Sequence, residues 1–157
     1  MVCMRYPILL WLALLQLYDV SGICRSFIPV AFQAEMGSDK TIASGQTWIY
    51  DKIITNVGNG YNSTTGEFFA PEKGLYLFAW SSLSDPGKQS HAGLVVNGKM
   101  MGRQGSNNIN GGHKWVTAGN TIILVLQEGD HVYIKDVHDR VAELLGPWTT
   151  FSGVQLA

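Results

Sequence analysis

The sequence predicts an all-β, antiparallel sandwich, on three observations. Apolar and polar residues alternate in Val30-Ala31-Phe32-Gln33-Ala34 and in His131-Val132-Tyr133-Ile134-Lys135, the period of two that a half-buried strand requires. Gly, Pro, Asn and Asp punctuate these runs as turns. Only Val137 to Leu145 spaces its apolar residues as a helix would, and it is too short to outvote the strands.

The first residues stand apart from this pattern. Arg5 gives a basic start, Ile8 to Leu17 is almost wholly apolar, and Val20-Ser21-Gly22 offers small residues for cleavage. That layout predicts a secretory signal peptide over residues 1–22. The apolar run is about half of the roughly 20 residues that a membrane span needs, so export is expected and a span is not. Residues 23–29 form a short N-terminal segment carrying Cys24, and a domain follows over 30–157. With Cys3 in the leader, the domain has no internal disulfide, so packing must hold it. An odd thiol in an oxidising compartment points to an interchain bridge at Cys24, with a capped or free thiol as the alternative.

Within the domain, turns are expected at Thr65-Gly66, Pro71-Glu72-Lys73-Gly74, Asp85-Pro86-Gly87, Asn97-Gly98 and Glu128-Gly129-Asp130. Asn97-Gly98 lies between Leu94-Val95-Val96 and Lys99-Met100-Met101, the signal of a type I′ hairpin with positive φ at both positions. Val137–Leu145 reads as a loop with at most one helical turn. Leu75-Tyr76-Leu77-Phe78-Ala79-Trp80 is apolar on both faces, and so is Thr121-Ile122-Ile123-Leu124-Val125-Leu126. A sandwich covers one face of such a strand. The other calls for a further layer, of which a neighbouring subunit is the simplest, or for a central place in the monomer.

If each strand reverses the last, the turns at Pro71–Gly74, Asn97-Gly98 and Glu128–Asp130 share one end. The connections Ser84–Ser90, Gln104–His113 and Asp136–Trp148 share the other. Ala157 and Cys24 fall at the tight-turn end, so the long connections face away from any tether, where a ligand surface belongs. Their candidate ligand-binding residues are Arg103, Asn107, Asn108, Asn110 and His113, with Asp85, Lys88, His138 and Arg140. Amides and carboxylates beside an aromatic such as Trp148 suit sugars. The same residues are also the ordinary material of loops.

Charge and motifs narrow the function. Lys and Arg number 11 against 12 Asp and Glu, with no basic run, which argues against nucleic acid and anionic membrane as partners. No Gly-X-Y or heptad repeat is present. The nucleophile elbow, the zinc-protease helix motif and Cys-x-x-Cys are all absent, and Gly58-Asn59-Gly60 lacks the third glycine of a dinucleotide site, so no enzyme is expected. The four His are scattered, which leaves zinc with little support. Asn62-Ser63-Thr64 is an N-glycosylation sequon, with Asn62 as the acceptor.

Tyr50, Asn56, Tyr61, Phe68, Gly74, Tyr76, Phe78 and Trp80 stand in an ordered spacing that resembles the signature of the C1q domain. Tyr50 replaces the usual Phe, and Trp80 the usual Phe or Tyr. The likeness continues through Asn120–Asp130 and Thr150-Phe151-Ser152-Gly153. It implies a trimeric jelly roll of about ten strands, a fold shared with the tumour necrosis factor ligands. Tyr76, Phe78 and Trp80 then serve the core or the subunit contact, and a Cys24 thiol left unpaired in one trimer would join it to another. Some members of that family bind calcium near the long-loop end, which makes Asp136 and Asp139 the candidate ligands. The implied function is a secreted, lectin-like recognition protein for glycans or microbial surfaces in innate immunity. The alternative is a ligand for a cell-surface receptor, hormone-like or synapse-organising.

Overall fold

Strand periodicity in the sequence becomes strand structure almost throughout. The computed structural model describes residues 29–110 and 112–157. The expected signal peptide, most of the 23–29 segment and the Cys24 bridge lie outside the described residues. Among these the strands are, in order, β1 (Ala31–Glu35), β2 (Lys40–Ile42), β3 (Lys52–Val57), β4 (Tyr61–Asn62), β5 (Glu67–Phe69) and β6 (Gly74–Ser84). They continue with β7 (Gln89–Val96), β8 (Lys99–Asn107), β9 (Val116–Leu126), β10 (His131–Asp136), β11 (Ala142–Leu144) and β12 (Thr150–Gln155). Ten of the twelve make two five-stranded sheets, ordered β3-β1-β12-β6-β9 and β4-β5-β10-β7-β8, and β2 with β11 forms a small separate ladder. All the pairings are antiparallel. This is the jelly roll the sequence resemblance implies.

Aromatic rings fill the space between the sheets. Phe32 stacks on Tyr61 at 4.7 Å between centroids and meets Phe151 edge-on at 4.9 Å, while Phe68 meets Phe78 at 5.5 Å. Such pairs add about 0.5–1.5 kcal/mol each beyond the area they bury. Gly153 explains the close of the Thr-Phe-Ser-Gly run, because a Cβ there would lie 2.5 Å from the Phe32 ring and 2.7 Å from Phe78. The core needs that position empty.

Tyr76, Phe78 and Trp80 are buried inside this single-chain core. Of the two places expected for them, core or subunit contact, this is the core, since the pleat sends all three rings inward. The opposite face of β6 carries Leu75, Leu77 and Ala79, only partly covered. Leu75 pairs with Val125 and Leu77 with Ile123 on β9, whose side chains are 65% and 56% exposed. The outer side of this sheet is thus apolar where the first half of β6 pairs with the last half of β9.

The two ends separate as the alternation of strand direction requires. At one, the Leu75 N–H donates to Ala157 O, the Gly129 N–H to Ala70 O and the Asn97 N–H to His131 O. Asn97 and Gly98 take φ of 48° and 82°, the type I′ turn read from the sequence. At the other end three expectations change. Ser84–Ser90 is no long loop: the Lys88 N–H donates to Asp85 O at 3.0 Å and closes a tight turn. β8 runs on to Asn107 because β7 pairs with it down to Gln89, so Arg103 and Asn107 lie on a strand. Val137–Leu145 holds β11 instead of a helical turn, because pairing with β2 overrides its local spacing.

Candidate recognition site at the long-connection end

Asp85 opens the β6–β7 turn and sits between two hollows. One, of about 180 Å³, is lined by Asp39, Lys40, Thr41, Asp85, Lys88, Glu143, Leu144 and Leu145. The other, of about 550 Å³, is lined by Leu83, Asp85, Trp115, Leu145 and Trp148. The first is rich in charge and hydroxyl, the second is mostly apolar, and Asp85 and Leu145 belong to both.

Local bonds hold these groups in place. The Trp115 indole N–H donates to Asp85 Oδ1 at 2.7 Å, and the Lys88 ammonium pairs with Glu143 Oε1 at 2.7 Å. The Leu145 N–H donates to Leu83 O at 3.2 Å, fastening the end of β11 to β6. Trp148 then projects from a single 3-10 turn, Gly146-Pro147-Trp148. That turn is fixed by the Gly146 N–H on Asp39 Oδ1 at 2.9 Å and by the Thr149 hydroxyl on Leu145 O at 2.8 Å. Beneath the site, Ser82, Ser84, Ser90 and Ser106 form a buried hydroxyl cluster, with Ser84 to Ser106 at 2.8 Å and Ser82 to Ser90 at 2.8 Å. Gln104 donates to Ser82 at 3.1 Å. Together these satisfy most of the polar groups there.

The residues singled out in the sequence divide into separate places. Asp85 and Lys88 line the hollows. Asn108 does not face solvent: it is buried, and its amide donates to Asp85 O at 2.9 Å and Lys114 O at 2.6 Å. Both side-chain hydrogens are thereby used, so Asn108 ties loops together and its expected ligand role is corrected. Arg103 and Asn107 are exposed on β8, and Asn110 and His113 are exposed in the loop that follows, but none of the four lines either hollow. His138 stacks on His91 with centroids 4.3 Å apart, and the Arg140 N–H donates to His138 Nδ1 at 3.2 Å. Burial, then the neighbouring His138, lowers the pKa of His91 below its ordinary value, with Asp136 and Asp139 opposing.

Asp136 and Asp139, the candidate calcium ligands, stand in different surroundings. Asp136 is buried and accepts the His138 N–H at 3.1 Å, and burial raises its pKa above the ordinary carboxylate value. The Asp139 side chain is 84% exposed and contacts His138 Nδ1 at 2.8 Å. Among the described residues no three His, Cys, Asp or Glu side chains gather to hold a metal ion. Sequence reasoning missed Trp115, Leu83, Leu145, Asp39, Lys40, Thr41 and Glu143. The available signal was Trp115, a large ring directly after an amide-rich loop with no strand partner in the local pattern. Asn62 is exposed on the β4–β5 hairpin, with Oδ1 accepting the Thr64 N–H at 2.8 Å.

Comparison with known proteins fits this geometry. Residues 31–156 match the model of the C1q domain. The chain is 36% identical over 86 residues to mouse complement C1q tumor necrosis factor-related protein 2, covering 55% of this chain and 28% of the mouse protein. The human protein of the same name is 35% identical over 86 residues, covering 29% of its length. The match thus spans less than a third of either relative. Among solved structures, the globular domain of zebrafish complement 1qA protein superimposes with a TM-score of 0.68 at 14% identity, over 82% of this chain and 97% of that one. Eiger TNF from S. frugiperda gives 0.64 at 14% identity, over 85% and 94%. Murine APRIL at pH 5.0 gives 0.64 at 13%, over 82% and 99%. At these identities the structures establish a shared fold. No helix among the described residues is long and apolar enough to cross a membrane. With a family match across residues 31–156 and the signature aromatics in the core of a two-sheet jelly roll, the chain belongs to the C1q domain family.

Proposed function

We propose that the protein is a secreted, homotrimeric recognition head that binds saccharides of microbial or host surfaces at its long-connection end. The observation that carries this reading is the polar hollow around Asp85. Asp39, Asp85, Glu143, Thr41, Lys40 and Lys88 line it, with the Lys88 ammonium on Glu143 and the Lys40 ammonium paired with Asp51 at 2.7 Å. Such a set supplies both acceptors and donors to hydroxyl groups. The trimer would use the apolar face of Leu75, Leu77, Ile123 and Val125, since one sheet face left apolar calls for cover. A Cys24 bridge between trimers would multiply weak sites, and each site is expected to be weak because a shallow polar hollow must first give up water.

A second reading, a ligand for a cell-surface receptor, is favoured by one observation. Phe69, 44% exposed, stacks on His131 at 5.8 Å, and His131 in turn lies 5.8 Å from Tyr133. This is a small aromatic patch on the flank of the sheet, the kind of anchor that protein partners use.

The test is binding of the purified mature protein to a glycan array and to whole microbial cells, beside a Lys88→Ala/Glu143→Ala double variant. The saccharide reading expects parent binding that the double variant loses at least in part. Absence of parent binding to every glycan and cell would overturn it and bring the receptor-ligand reading forward.

A further inference from the structure

We infer that Trp115 and Trp148 form an aromatic subsite for a pyranose ring, continuous with the polar hollow through Asp85 and Leu145. This rests on the saccharide reading and names how a sugar would sit. Both indoles border the 550 Å³ hollow, 64% and 67% exposed. The same fold buries Trp48 and Trp80 almost completely, so large rings do find places in its core. Two such rings on one surface hollow leave flat apolar area in water that a ligand would cover.

The chemistry around the rings selects the ligand. A pyranose has an apolar C–H face and a hydroxylated rim. Leu83, Leu145 and the two indoles meet the face, and the Trp115 indole is held in orientation by its bond to Asp85 Oδ1. Asp85 lines both hollows and gives Oδ1 to the Trp115 indole, which leaves its second carboxylate oxygen to accept a hydroxyl proton. Lys88, Glu143 and Thr41 line the polar hollow on from it and would meet further hydroxyls of the same sugar or the next one. A purely apolar ligand would leave that charged half unused, and a simple ion would leave the indoles unused.

The experiment uses tryptophan fluorescence and binding together on the mature full-length domain. The probes are galactose, mannose, fucose, N-acetylglucosamine, N-acetylgalactosamine and sialic acid, presented both free and as multivalent polymers. The inference expects at least one sugar to shield the exposed indoles from acrylamide quenching. It also expects Trp115→Ala and Trp148→Ala each to weaken polymer binding by on the order of tenfold, with Trp148→Phe recovering part of it. Because both rings are mostly exposed, circular dichroism should show the alanine variants folded. If the parent binds a sugar but both alanine variants bind equally and quenching is unchanged, the subsite is wrong while saccharide recognition stands. Should no sugar bind the parent, both fail. If Trp148→Ala instead lowers the oligomer mass, a second copy covers the indoles and the subsite is overturned.

Discussion

Asn108 donates one amide hydrogen to the Asp85 carbonyl at 2.9 Å, so a residue after β8 holds the turn that follows β6. The second hydrogen goes to Lys114 O, and the backbone of Asn108 joins in by donating to Lys88 O and accepting from Gly87 N–H. Asn108→Ala removes the two side-chain bonds at a buried position. At about 1 kcal/mol each, the expected loss is about 2 kcal/mol, read as a drop of several degrees in melting temperature. An unchanged melting temperature would show that the loops do not depend on this residue.

Assembly is tested on the outer face of the β3-β1-β12-β6-β9 sheet. Light scattering should give the parent three times the chain mass. Ile123→Asp, with its side chain over half exposed in the monomer, should leave the fold intact and reduce the mass to that of one chain. A parent that stays monomeric at micromolar concentration would refute the homotrimer.

Acid stability should carry the mark of His91. Its folded-state pKa is lowered, so the unfolded chain takes up a proton first as pH falls through about 6.5. The stability that neutral His91 contributes is present above that value and lost as pH falls from there towards the folded value. His91→Asn should therefore flatten the decline in melting temperature between neutral pH and pH 5.5. Asp136 has the opposite sign: its raised pKa means that ionisation costs stability as pH climbs above the ordinary carboxylate value. Asp136→Asn, which keeps an acceptor for the His138 N–H, should raise the melting temperature at pH 7. Parallel curves for parent and both variants would refute these assignments.

Glycosylation is expected at Asn62. The side chain is exposed at a hairpin whose turn is closed by the Gly66 N–H on Asn62 O at 2.9 Å. Protein expressed through the secretory pathway should lose apparent mass on treatment with an N-glycosidase, and Asn62→Gln should already run at the lower position. Identical mobility before and after treatment would exclude it.

Much of this fold is written in local chemistry. The alternation of Tyr76, Phe78 and Trp80 with Leu75, Leu77 and Ala79 announces a strand with two apolar faces, and Asn97-Gly98 announces its turn. Which face looks inward does not follow from alternation, because the pleat has the same period either way. The β2–β11 ladder was also hidden: three residues pair only because Ile42 and Ala142 are brought together by the rest of the chain. The site was legible only in outline. Asp85 and Lys88 stand out as polar turn residues, whereas the sharing of one hollow by Trp115 and Trp148 depends on how the start of β9 and the Gly146–Trp148 turn are brought to the same corner. Composition makes Asn107, Asn110 and His113 look like ligand residues, and it cannot distinguish them from Asn108, which is occupied by the loops.

The serine cluster has a consequence for how the chain finds its alignment. Along the inward face of β6 the residues change from Tyr76, Phe78 and Trp80 to Ser82 and Ser84. A slip of β6 by two positions would keep every side chain on its proper side, so the apolar pattern alone does not forbid it. A slip one way would, however, push Ser82 among the rings, and a slip the other way would draw Trp80 in among Ser90, Ser106 and Gln104. Hydroxyls at one end and rings at the other thus act as an address, picking one alignment from several that the simple inside–outside rhythm accepts.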